Sequence, residues 1–144
     1  MSFGNLLVSV YLKYMYSGLQ EIIDASSFTI EEGEFVYAQV KTAPPIDDHF
    51  LVSKDKDEIT VVTRKEQLPN LDLIEKNKDL YSLIAINVSI PFYSVGLLAT
   101  ISTAIADGGM NILLVSTYSR DYIMVKADRL EDAKIVLKKL GFKD

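Results

Sequence analysis

The sequence predicts an α+β protein built on antiparallel sheets, and three observations carry that expectation. From Leu80 to Gly141 the apolar pattern reads strand, helix, strand, strand, helix. Before Leu80 it reads as short period-two segments separated by polar turns. A composition of 49% hydrophobic and 24% charged residues supplies enough apolar surface for a buried core in a chain of 144 residues.

Residues 5–15 alternate, with Leu6, Val8, Val10, Leu12 and Tyr14 on one side and Leu7, Ser9, Tyr11 and Lys13 on the other. Period two with β-branched and aromatic residues predicts a strand. Ser17-Gly18 breaks it, and Leu19, Ile22 and Ile23 line one face of a short helix that ends at a turn at Ser26-Ser27. Glu31-Glu32-Gly33 is a second turn signal. A strand is expected over 34–41, with Phe35, Tyr37 and Gln39 opposite Val36, Ala38 and Val40. Pro44-Pro45 rules out a regular helix directly after it. Residues 50–53 and 58–63 read as a hairpin joined through Lys54-Asp55-Lys56-Asp57, and 71–74 as a short strand.

The C-terminal signals are sharper. Residues 81–88 read as a strand that Ile90-Pro91 ends. Val95, Leu97, Leu98, Ile101, Ala104 and Ile105 recur at helical spacing, and Gly108-Gly109 supplies a left-handed stop. Strands over 111–118 and 122–127 flank a tight turn at Ser119-Arg120-Asp121. The closing helix is expected over 130–140, with Leu130, Ala133, Val136, Leu137 and Leu140 inward, Asp128 as its N-cap and Gly141 as its terminator. A closed ferredoxin-like unit, βαββαβ, needs one more strand than this segment holds. The expectation is that the earlier part of the chain supplies it, as a second, degraded copy interleaved with the first.

Charge and composition exclude several classes. A net charge of −5 leaves no basic face for nucleic acid. The absence of cysteine excludes disulfides, thiolate nucleophiles and sulfur metal sites, and fits a cytoplasmic protein. The apolar run near the N-terminus has no basic flank or cleavage site and is too short to cross a membrane as a helix, so no membrane partner is expected. His49, the single histidine, follows Asp47-Asp48, but one imidazole without cysteine makes a poor transition-metal site. No serine has an adjacent base, and no phosphate-binding glycine motif occurs. No catalytic residues, metal or cofactor are therefore expected.

Three runs carry a family resemblance: Val95-Gly96-Leu97-Leu98-Ala99, Gly108-Gly109-Met110-Asn111-Ile112, and Ser116 to Val125 (STYSRDYIMV). With residues 130–142 they resemble an ACT domain, and more closely the small two-ACT proteins related to CASTOR-type amino-acid sensors. The residues His49 to Ser53 and Asp57 to Val62 are similar to that family's N-terminal hairpin. The resemblance covers roughly residues 30–142, strongly in its last third. It divides the chain into a degraded ACT-like unit at 1–79, with 1–28 as an added strand and short helix, and an ACT domain at 80–144. The chain departs from the family pattern at Tyr93 and Val95 ahead of the helix glycine, and at Ser119 and Arg120 in the hairpin turn.

The resemblance implies a non-catalytic module that binds small effectors, usually amino acids, at a helix N-terminus and neighbouring strand edge. The residues suit this chemically. Gly96 lets a ligand approach the backbone, and the N–H groups of Val95, Gly96, Leu97 and Leu98 belong to a first helical turn that lacks internal partners. With Ser94 they form the expected carboxylate site. Asp121 is placed to hold an ammonium, with Ser116 and Thr117 adding neutral contacts. The expected ligand is a free amino acid or similar small carboxylate, and covering of strand edges makes a homodimer the expected assembly. The competing expectation is a protein-interaction module whose pocket is blocked by Tyr93 and Arg120, where the chain departs from the pattern; Gly96 and Asp121 also have plain readings as packing and turn residues. An enzyme of acylphosphatase type shares the fold, but Phe92-Tyr93-Ser94 stands where its phosphate-cradling Arg loop belongs.

Overall fold

The computed structural model describes residues 18–88 and 94–144; the strand expected over 5–15 and the Ile90-Pro91 break lie outside them. Its elements are α1 (Leu19–Asp24), β1 (Ser27–Ile30), β2 (Phe35–Val40), β3 (Leu51–Lys54), β4 (Ile59–Arg64), β5 (Leu73–Lys76), β6 (Tyr81–Asn87), α2 (Leu97–Asp107), β7 (Leu113–Ser116), β8 (Asp121–Lys126) and α3 (Leu130–Leu140). The eight strands form one antiparallel sheet made of two four-stranded halves.

In one half the order is β1-β6-β8-β7, and in the other β5-β2-β4-β3. Counting each half from its first main strand, β6 or β2, both read fourth-first-third-second. This is the strand order of an antiparallel ferredoxin-like unit. The strand that the C-terminal segment lacks is β1, which pairs antiparallel with β6 from Ser27↔Asn87 to Ile30↔Ile84. The earlier chain thus completes the later unit, and the fold is α+β with interleaved halves. In the β2–β5 half the two crossovers contain 3-10 turns, Ile46–Asp48 and Lys65–Asn70, where the other half has α2 and α3. Pro44-Pro45 in the first crossover and Pro69 in the second remove the N–H groups a longer helix would need.

The halves meet at a single register pair, Phe35↔Tyr81. Alternation along the strands then sorts side chains to two faces. Phe28, Ile84, Ile86, Ile123 and Val125 face the helices and pack with Leu19, Ile23, Leu97, Ile101, Ile105, Ala133 and Leu137. On the other face Leu83 and Met124 pack with Phe35 and Val62 from the neighbouring half. Phe50 stacks edge-on against Tyr122, with ring centroids 4.8 Å apart. The sheet curls so that its own second half covers the face the helices leave open.

Several expectations are corrected in detail. Ser27 opens strand β1 instead of belonging to a turn, because its neighbours are tied down on both sides: the Phe28 N–H donates to the Lys143 carbonyl, and the Lys143 N–H to that of Ser26. Val95 does not belong to the apolar face of α2, which starts at Leu97; it is 68% exposed. Asp128 does not cap α3. A 3-10 turn at Ala127–Arg129 runs into the helix, and no side chain caps it. Arg129 instead donates from Nε to Asp132 and from Nη2 to the Gly108 carbonyl, linking the start of α3 to the end of α2.

Candidate functional site

The end of the sheet where β6 stops and α2 begins carries the residues singled out from sequence. Gly96 precedes α2 with φ of 84°, in the left-handed region that glycine enters without strain. The Thr100 N–H donates to its carbonyl, so Gly96 already caps the helical ladder. The Leu97 N–H donates to the Ser94 carbonyl at 3.1 Å, which removes one of the four donors expected to be open. Leu97 itself is buried in the core beneath α2, Leu98 is half-buried, and Val95 points to solvent.

Ser116 and Asp121 face each other across the β7–β8 ladder, and Asp121 lies opposite Ile86 on β6. Opposed residues share a face, so both sit on the helix-bearing side of the sheet. The Ser116 hydroxyl donates to Asp121 Oδ1 at 2.5 Å. Thr117 is consumed by the turn itself: its N–H and hydroxyl both donate to the Arg120 carbonyl. Tyr118 stands 85% exposed at the hairpin tip.

The topology therefore brings Ser116 and Asp121 together opposite Ile86, near the end of β6 and on the helix-bearing side of the sheet. A helix start favours a carboxylate, and a carboxylate whose position a serine hydroxyl fixes favours a cation. Thr117 takes no part beyond shaping the turn. Among the described residues no group of three or more His, Cys, Asp or Glu is arranged to hold a metal ion. No helix among them is long and apolar enough to cross a membrane.

Sequence reasoning gave no role to a second concave region, lined by Glu31, Asp47, Asp48, His49 and Arg64 over Phe35 and Leu83. Its charged components lie on two separate turns and a strand end, so only the strand register unites them. The turn signal at Glu31-Glu32-Gly33 and the Asp-Asp-His run were legible as local features, and their meeting was not.

Residues 77–139 match the family model described as ACT domain. The curated proteins contain no match to the chain. Among solved structures, a Vibrio cholerae protein of unknown function, described as a possible transport protein, superposes with a TM-score of 0.71 at 22% identity, covering 85% of this chain and 95% of that one. An Agrobacterium tumefaciens protein matches with a TM-score of 0.63 at 21% identity over 82% and 90% of the two chains. The ligand-free regulatory subunit of aspartate kinase from Thermus thermophilus matches with a TM-score of 0.55 at 12% identity over 78% and 95%. At these identities the likeness is one of fold, and that fold is the ACT-type, ferredoxin-like α+β architecture.

Proposed function

We propose that this protein is a non-catalytic regulatory module that binds a free amino acid, or a similar small carboxylate, at the start of α2 and the adjoining β7–β8 edge. The observation that carries the reading is the Ser116–Asp121 pair, held by a hydrogen bond on the helix-bearing face opposite Ile86 of β6, the strand that precedes α2 in the chain. The ACT domain match over 77–139 supports it, as does the fold shared with an aspartate kinase regulatory subunit. In this reading the open N–H groups near Gly96 take the carboxylate, and Asp121 takes the ammonium. The chain divides at 79/80 into a reduced ACT-like unit and an ACT domain, with β1 exchanged between them. It acts as a cytoplasmic homodimer on a protein partner whose identity is open.

The test is amide chemical-shift mapping with an equimolar mixture of the twenty amino acids as the probe. Joint movement of the Gly96, Leu98 and Ser116–Asp121 amides supports the site. An unmoved spectrum rejects it in favour of a ligand-free interaction module, the reading that the consumed Leu97 and Thr117 donors favour.

A further inference from the structure

Ser26, Thr63 and Ser82 are the buried polar side chains among the described residues. The Ser26 hydroxyl donates to the Ile22 carbonyl at 2.6 Å, and the Thr63 hydroxyl to the Asp48 carbonyl at 3.4 Å. Ser82 differs. It is 5% exposed, yet its hydroxyl has no hydrogen-bond partner in the protein. A hydroxyl so enclosed normally finds one. Among the described residues no side-chain oxygen or nitrogen is both sealed from solvent and unpartnered, so the Ser82 hydroxyl is reachable from outside. It lines a hollow of about 620 Å3, a size ordinary for small-molecule sites.

The strand register fixes where that hydroxyl points. Ser82 lies opposite Val125, whose side chain belongs to the helix-side core, so Ser82 faces the helices from the first turn of β6. The hollow lies between the β1–β2 turn and the start of α3. It is therefore at the other end of β6 from the α2 start and shares no residue with it. Ile30 and the half-buried Leu130 give it an apolar wall, and the exposed Glu32 and Asp128 line it as well.

Neither Glu32 nor Asp128 takes part in an ion pair among the described residues. The basic side chains on the same turns are already committed. Lys126 pairs with Asp79, Lys65 with Glu34, and Arg129 with Asp132 and the Gly108 carbonyl. No side-chain cation of these turns is left to meet the hydroxyl or the two carboxylates. An anion does not suit the hollow, because Asp128, Glu131 and Asp132 already place negative charge at the start of α3. No group of three or more potential ligands is arranged there for a metal ion. An ammonium fits: it donates only, and a hydroxyl oxygen and two carboxylates accept.

We propose that this hollow binds a primary alkylammonium group of a small amine that carries no carboxylate. The ammonium donates to the Ser82 hydroxyl oxygen and to Glu32 and Asp128, and the alkyl stem lies along Ile30 and Leu130. The site is separate in place and chemistry from the one at the start of α2.

Amide chemical-shift titrations with n-butylammonium chloride and with tetramethylammonium chloride, at equal ionic strength, test it on the wild-type protein. n-Butylammonium is expected to move the amides of Glu32, Ser82 and residues 127–130 saturably. Tetramethylammonium has the same charge but no N–H donor, and is expected to bind at least fivefold more weakly. Ser82→Ala breaks no hydrogen bond, so its Tm is expected to equal or exceed that of wild type while n-butylammonium binding falls at least fivefold. Asp128→Asn alters an exposed side chain and is expected to weaken binding similarly, with far-UV circular dichroism unchanged. Absence of saturable shifts at these amides, an equal response to the two cations, or binding that survives both substitutions would overturn the proposal. A lower Tm for Ser82→Ala would overturn it too, since the hydroxyl would then already be used within the protein.

Discussion

Phe35 lies directly across from Tyr81, and this is the register pair through which the two halves of the sheet join. Phe35 is also buried at 4% exposure and packs edge-on against Phe50, with centroids 6.5 Å apart. The pair therefore couples backbone pairing to the packing that closes the curled face. Phe35→Ala is expected to cost about 3–5 kcal/mol by cavity formation. Urea unfolding followed by fluorescence and circular dichroism should show one transition at a lower midpoint. Two separated transitions in the wild type would mean that the halves fold independently.

Gly141 ends α3 with φ of 120°, and a Cβ there would strike Asp24 Oδ1 and come within 2.9 Å of Gln20 Nε2. Gln20 Nε2 itself donates to the Leu140 carbonyl, so the same contact docks α1 onto the end of α3. Gly109 has φ of 74° but open space around it. Gly109→Ala is expected to cost only the left-handed strain, about 1–2 kcal/mol. Gly141→Ala is expected to cost more, because the Asp24 and Gln20 side-chain ends must swing away and the Gln20–Leu140 hydrogen bond is disturbed as well. Thermal denaturation of the two variants side by side checks the order; equal losses would show that α1 docking contributes nothing there.

Burial, and then the neighbouring Tyr81, hold the Tyr37 phenol above its ordinary ionisation range. The two rings meet edge-on with centroids 6.2 Å apart. A raised folded-state value favours the protonated form, so this stabilisation is complete below the unfolded value near 10 and is lost as pH rises beyond it. Tyr37→Phe should flatten the alkaline fall in stability above about pH 10 relative to wild type. Urea midpoints measured from pH 8 to 11 give the comparison, and parallel curves would contradict it.

Much of the C-terminal unit was legible because its signals are local. The closing helix at Leu130–Leu140 matches its apolar spacing, and a hairpin forms around Ser119-Arg120 as expected, although Asp121 opens β8 and Thr117 and Tyr118 belong to the turn because Ser116 and Asp121 are the last paired residues. Strand β1 was missed because four residues beside Ser26-Ser27 carry too little pattern; its identity comes from pairing with β6, nearly sixty positions away. The same limit hid the concave region at His49. Arg64 reaches it because β4 pairs with β2 in a register that sets Arg64 against Phe35. At the α2 start the sequence located Gly96 and Asp121. It did not reveal that Leu97 and Thr117 spend their donors on local turns, which depends on the φ of Gly96 and the geometry of Arg120.

The most direct test of the regulatory reading is a thermal-shift screen against the twenty amino acids, each at millimolar concentration, on wild type and on Asp121→Ala. A ligand that binds only the folded state at a hundredfold excess over its Kd adds about 2.7 kcal/mol. The expected result is a rise in Tm for one or a few amino acids that is lost in Asp121→Ala. A flat panel for the wild-type protein, or shifts that Asp121→Ala leaves unchanged, would contradict it.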